Sequence, residues 1–171
     1  SIVHGMLKDN TFCVWWFGLT HFDLVQKTLR LRGFTVADIP GIWVKPNGQN
    51  QQPNVNLTSC YEPFFVCRKG KPVLTKPARS NVFAYSPVAG QKKIHTTQRP
   101  IELIQELLDT FSLPGARVLC PFLGSGTTLR ACYTRCMQGV GWDLDTTIRN
   151  KFLLTVKEEE DAGIYNNKTG D

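Results

Sequence analysis

The chain has 171 residues, 42% of them hydrophobic and 20% charged, with 20 Lys and Arg against 14 Asp and Glu for a formal charge of +6. That length suits one domain with a sizeable core, and with no apolar run of membrane-spanning length and no signal-peptide pattern at the start, a cytoplasmic protein is expected. The positive balance suits a polyanion partner, while six cysteines without any C-x-x-C spacing read as reduced thiols rather than a zinc site.

In chain order, a short helix precedes a strand over 11–17, where FCVWWF (Phe12 to Phe17) is apolar throughout. A helix over 21–32 follows, with Phe22, Leu24, Val25, Leu29 and Leu31 at helical spacing. A strand over 34–44 is broken at Pro40-Gly41, and the polar run PNGQNQQPNVNLTS (46–59) reads as a loop. The sequons at Asn56 and Asn167 read as accidental. A further strand covers 62–68.

The segment 70–94 is short, basic and rich in Pro, Lys and Ser, and it carries Phe83, Tyr85 and a Gly90 turn. Lys71, Lys76, Arg79, Lys92 and Lys93 make it suitable for lying along a DNA backbone, although a solvated basic loop has the same composition. It is small for reading bases through the major groove. Next, Ile101, Ile104, Leu107, Leu108 and Phe111 place a helix over 100–112, with Pro100 in its first turn and Leu113-Pro114-Gly115 as its stop. On sequence physics alone its lead-in, His95-Thr96-Thr97-Gln98, reads as a capping segment.

The most informative run is VLCPFLGSGTTLRA, from Val118 to Ala131. It reads as a strand over 116–120, a glycine turn and a helix over 126–137. Gly124 and Gly126 let the backbone pass close to a ligand, and Ser125, Thr127 and Thr128 bring hydroxyls and free amides to a helix N-terminus. An ordinary strand-to-helix connection has the same elements. A P-loop is excluded because no Lys-Ser/Thr pair follows the glycines and no lysine lies between Gly115 and Gly141. A dehydrogenase is disfavoured because the turn lacks GxGxxG spacing.

A strand over 138–142 then ends in an acid, Asp143, suited to accept from ribose hydroxyls. Asp145 is left to cap a helix over 146–160. The residues 161–171 read as frayed or as leading into another element. Alternating elements of this kind predict an α/β, three-layer fold with a largely parallel sheet.

Taken together, His95-Thr96-x-x-Arg99-Pro100, the amphipathic helix, V-L-C-P-F-L-G-S-G-T-T and G-V-G-W-D resemble the C-terminal half of the permuted beta class of DNA amino-methyltransferases. The stronger match covers about 95–149 and a weaker one 11–70, including RGFTVADIPGIWVK and YEPFFVCRKGK. The resemblance implies a single Rossmann-like methyltransferase domain over 1–171, with the strands at Val36 and Phe64 paired antiparallel at one edge, that methylates adenine N6 or cytosine N4 in duplex DNA using S-adenosylmethionine. It implies that Phe122, Gly124, Ser125, Gly126 and Thr127 surround the methionine part of the cofactor and that Asp143 meets the ribose. Thr96, Thr97, Gln98 and Arg99 then lie near the carboxylate end. The 70–94 segment stands at the family's target-recognition position. A homodimer or a partner subunit belongs to the same picture, and neither a membrane nor a metal does.

Two departures bear on activity. The family signature [DNS]-P-P-[YFW] is missing, since the chain has no Pro-Pro, and Glu62-Pro63-Phe64-Phe65 imitates it only superficially. A chain that begins at Ser1 without Met is expected to be part of a longer protein, with the signature upstream. Cys120 stands where the family usually has Asp, a loss that would weaken cofactor binding unless the position is apolar packing. The rival reading is a catalytically inactive methyltransferase-like module that binds DNA, cofactor or a partner protein.

Overall fold

The computed structural model describes residues 2–46, 48, 50 and 52–165, without the side chain of Lys92. Asn167 and the last six residues therefore lie outside the described part. Two compact units are present, Ser1–Ser86 and Pro87–Asp171.

The first unit runs α1 (Ile2–Met6), β1 (Thr11–Trp16), α2 (Phe22–Leu31), β2 (Thr35–Val36), β3 (Gly41–Val44), β4 (Tyr61–Lys69) and β5 (Val82–Ala84). The sheet order is β1-β4-β3-β5, with β2 also pairing β4. Strand β4 is antiparallel to β1, β2 and β3, whereas β3 and β5 are parallel. No helix is found among the described residues between β3 and β4, and the pair is antiparallel, as strands joined without a helical crossover are.

Period-2 alternation along β4 gives the sheet two apolar faces. Phe65 and Cys67 are fully buried with Leu29, Phe34 and Val36, beneath α2. Phe17 stacks on Phe65 with ring centroids 4.2 Å apart. Phe64, also fully buried, points the other way onto Trp16 and Phe83. The Pro40-Gly41 break has a packing reason: Gly41 is paired with Phe64, and a Cβ there would meet the Phe64 ring at 2.2 Å. Helix α2 ends in a Schellman motif, with Gly33 at φ +94°, the Phe34 N–H donating to Leu29 O and the Gly33 N–H to Arg30 O.

The second unit runs α3 (Ile101–Phe111), β6 (Arg117–Cys120), α4 (Thr127–Thr134), β7 (Gln138–Gly141) and α5 (Thr146–Asp161). Helix α3 buries Leu103, Ile104, Leu107 and Leu108 and packs against α4, while β6 and β7 pair in parallel. The 126–137 helix expected from sequence is shorter, because Cys136 takes φ +53° just beyond its end.

The elements form a mixed α/β structure with five helices among the described residues. The described strand pairings are three antiparallel and two parallel, so the largely parallel sheet expected from sequence is not what these units display. The 70–94 segment also differs from a simple loop: it contains β5 and a 3-10 turn at Gly90–Lys92. No described helix is long and apolar enough to cross a membrane.

Candidate cofactor site

The ends of β6 and β7 are laced together beside the glycine turn. The Leu123 N–H donates to Trp142 O at 3.0 Å and the Trp142 N–H to Cys120 O at 3.3 Å. Gly124 and Gly126 both take positive φ, +54° and +74°, in the left-handed region that favours glycine. Their surroundings differ. A Cβ on Gly124 would find only His95 Nδ1, at 4.0 Å, so the turn opens onto free space there. A Cβ on Gly126 would sit 2.0 Å from the Phe152 ring of α5. Close approach at Gly126 is therefore to the protein's own Phe152, a contact that local sequence does not reveal.

Ser125 and Thr127 are buried, with their hydroxyls 2.9 Å apart. They satisfy each other inside the turn, leaving the first backbone amides of α4 as the orphan donors at its N-terminus.

Asp143 closes the turn from β7. Its Oδ2 accepts from the Gly124 N–H at 2.7 Å and its Oδ1 from the Asp145 N–H at 3.1 Å. The Gly124 amide, then the Asp145 amide, with His95 contributing less, holds its carboxyl below the usual carboxylate range. Because the folded-state value is depressed, this contribution to the turn is present above the ordinary carboxylate pKa of about 3.9 and is lost as pH falls through the lower folded value. In an NMR titration the Gly124 amide is expected to shift with Asp143, at a midpoint below about 3.9. A midpoint at or above that value would show that the bond is not made in solution. Asp145 caps α5, as expected from sequence, accepting from the Thr147 N–H at 2.8 Å and the Ile148 N–H at 3.2 Å.

The 95–99 segment forms a turn of its own. The Gln98 N–H donates to His95 O at 3.0 Å, Gln98 Oε1 accepts from the Ile94 N–H at 2.7 Å, and His95 Nδ1 accepts from the Thr97 N–H at 3.2 Å. Buried Gln98 thus holds the turn, Thr96 and Thr97 are exposed and Arg99 is half-buried. His95 stands beside both Gly124 and Asp143, although sequence reasoning placed it only in a lead-in. Its position directly before the Thr-Thr pair was the available signal.

Cys120 ends β6 just before the turn, and burial pushes its thiol up, partly opposed by hydrogen bonds with the Thr128 side chain and the Phe122 backbone. Asp143 and Arg99 are both within electrostatic reach of it. Around the turn, Phe122, Trp142 and Leu144 are exposed at 78%, 45% and 100%. Of these only Phe122 was selected from sequence.

The basic candidates are placed as follows. Lys71, Lys76 and Arg79 belong to the first unit and Lys92 and Lys93 to the second. Arg79 donates to Ser80 O and Val82 O and lies 4.4 Å over the Phe83 ring, an arrangement that secures β5. Lys71 and Lys93 are exposed, Lys76 is half-buried, and the Lys92 side chain lies outside the described part. Glu62-Pro63-Phe64-Phe65 is strand, with Glu62 Oε1 accepting from Lys45 Nζ at 2.6 Å.

The family model described as DNA methylase, for N6 and N4 methyltransferases, matches residues 1–151. The chain belongs to this family. Among relatives of this chain, the type II methyltransferase M.MjaI of Methanocaldococcus jannaschii is 27% identical over 157 residues, covering 75% of this chain and 51% of that protein. YubD of Escherichia coli (strain K12) is 31% identical over 142 residues, covering 83% and 60%. The M1.HpyAVI–SAM complex superposes with a TM-score of 0.78 at 23% identity, covering 88% of this chain and 76% of that one. For the PvuII DNA methyltransferase (cytosine-N4-specific) the values are 0.73, 16%, 96% and 72%. These structural likenesses establish the fold. The chain spans 51–60% of the length of the two curated relatives.

Proposed function

We propose that this chain serves S-adenosylmethionine-dependent methylation of an exocyclic amino group in DNA, adenine N6 or cytosine N4. The observation that carries the reading is the open face of Gly124, tied to Asp143 at the ends of two parallel strands, in a member of the DNA methylase family. The site fits the cofactor: a Cβ would meet only His95 in the space before Gly124, and an ionised carboxylate and a helix N-terminus border it. S-adenosylmethionine, when bound, supplies a methyl group on a sulfonium.

The chain's own residues bind and orient it. Asp143 has lone pairs left for ribose hydroxyls beyond those used by Gly124 and Asp145. Arg99 pairs with the cofactor carboxylate beside the Thr96–Gln98 turn. Phe122 offers an exposed ring next to the glycines, and Gly124, Ser125, Gly126 and Thr127 shape the backbone that receives the methionine part. Calorimetry with S-adenosylmethionine or its demethylated product should give heat with the parent chain and little with Asp143→Ala. No heat from either, or equal heats from both, would remove the cofactor claim.

At position 120 a carboxylate would help hold the methionine ammonium of the cofactor, the role the family resemblance gives to the usual Asp. Cys120→Asp is expected to tighten cofactor binding by about 10- to 100-fold, the equivalent of a charge-assisted hydrogen bond of about 1.5–3 kcal/mol. Unchanged or weaker binding would mean that the position is packing here.

One observation favours the second reading, an inactive module. In the only sequence resembling the catalytic signature, Glu62 is engaged by Lys45 and Phe64 is fully buried, so neither is placed to accept from a base amino group or to stack on a flipped base. Transfer of labelled methyl from cofactor to DNA separates the two. Incorporation supports the enzyme; cofactor heat without incorporation supports the module.

A further inference from the structure

The excess charge is not shared between the units. Ser1–Ser86 carries ten Lys and Arg against four Asp and Glu, and Pro87–Asp171 carries ten against ten, so the whole +6 sits in the first unit. Each of the four acids there is already in an ion pair with a different cation. Asp23 pairs with Lys27, Asp38 with Arg30, Glu62 with Lys45 and Asp9 with Lys69.

The topology gathers four of the remaining cations. Thr11, where β1 begins, pairs with Lys69, where β4 ends, and Arg68 lies between Phe12 of β1 and Thr35 of β2. Lys71 follows directly, its backbone N–H donating to Asn10 Oδ1 at 2.9 Å. Lys8 leads into β1, and Arg32 lies between the end of α2 and the start of β2. Lys8, Arg32, Arg68 and Lys71 are all exposed. Lys69 is used differently, its Nζ donating to His4 O and Leu7 O and so holding α1 over the same end of the sheet. This end is opposite to that of Trp16 and Tyr61.

We propose that the end of the sheet where β1 begins and β4 ends is a contact surface for the phosphate backbone of duplex DNA, made by Lys8, Arg32, Arg68 and Lys71. The choice of DNA as the polyanion rests on the function proposed above. Cations fixed on strand ends meet phosphates without reading bases, and neutralising each phosphate releases counterions. The contact supplies affinity and salt dependence but no sequence preference. Of the basic candidates in the 70–94 segment only Lys71 belongs to this surface, and Arg79 is committed to β5.

The test is the salt dependence of binding to a duplex of arbitrary sequence, followed by fluorescence anisotropy for the full chain. Arg68→Gln with Lys71→Gln should make the log–log slope shallower by about 1.8, at about 0.9 per phosphate contact. Lys27→Gln, at a cation already paired with Asp23, should leave the slope unchanged. An unaltered slope in the double variant would overturn the proposal, as would an equal loss in Lys27→Gln, which would mean diffuse charge. Loss of binding to phosphatidylserine vesicles with DNA binding intact would overturn it in favour of a membrane surface. Calorimetry with the cofactor keeps the two readings apart: cofactor heat with no effect on DNA binding sinks only this surface, and no cofactor heat sinks the proposed function.

Discussion

Gly126→Ala is expected to destabilise the second unit by about 2–5 kcal/mol and to abolish cofactor binding. A side chain at φ +74° costs about 1–2 kcal/mol, and forcing a methyl into a packed ring costs about 1–3 kcal/mol more. The ring is that of Phe152, 2.0 Å from the Cβ position. Gly124→Ala meets only the first cost, because nothing crowds its Cβ. Urea unfolding of the two variants should separate them by the overlap term. The double variant Gly126→Ala with Phe152→Ala should recover part of the loss through coupling of neighbouring sites. Equal stability of Gly126→Ala and the parent would show that α5 is not seated on the turn.

Glu159→Ala is expected to cost about 3–5 kcal/mol, the range for removing one partner of a buried pair. The Arg130 and Glu159 side chains are only 15% and 16% exposed. Arg130 Nε donates to Glu159 Oε2 at 2.9 Å, Nη2 reaches Oε1, and the Tyr165 hydroxyl donates to the same carboxylate. Without Glu159 the guanidinium is left uncompensated between α4 and α5. Burial first, then Glu159, pushes the Tyr165 hydroxyl up to about 12. Its tyrosinate absorbance should therefore appear at lower pH in the variant. Replacing both Arg130 and Glu159 by leucine should restore most of the stability, since an apolar pair removes the desolvation penalty.

Much of the second unit was legible because its signals are local. Helical spacing located α3, a glycine turn between apolar runs located β6 and α4, and the Asp directly before Thr146 marked the cap of α5. Long-range facts were hidden. Nothing near Gly126 announces Phe152, 26 residues later, and nothing in a hydroxyl-rich turn tells whether Ser125 and Thr127 face a ligand or each other. The three residues of β5 are too few for a periodic signal, and their pairing with β3 is decided by Ile42, Trp43 and Val44. Sheet polarity was legible in part: the strands at Val36 and Phe64 do pair antiparallel, as expected, whereas the antiparallel pairing of β1 with β4 joins residues as distant in sequence as Thr11 and Lys69 and carries no local signal.

Gly139 on β7 has a consequence for how this site can be tuned. A Cβ there would lie 2.6 Å from Leu129 Cδ2 and 3.3 Å from Cys132 Cβ, so helix and strand touch where a side chain is lacking. A residue larger than glycine would displace the end of the Leu129 side chain and press on Cys132, acting as a shim that nudges α4 by a few tenths of an ångström. The turn at its N-terminus would move with it. The fit between turn and ligand is thus adjustable from behind, at a position that no bound molecule would ever touch.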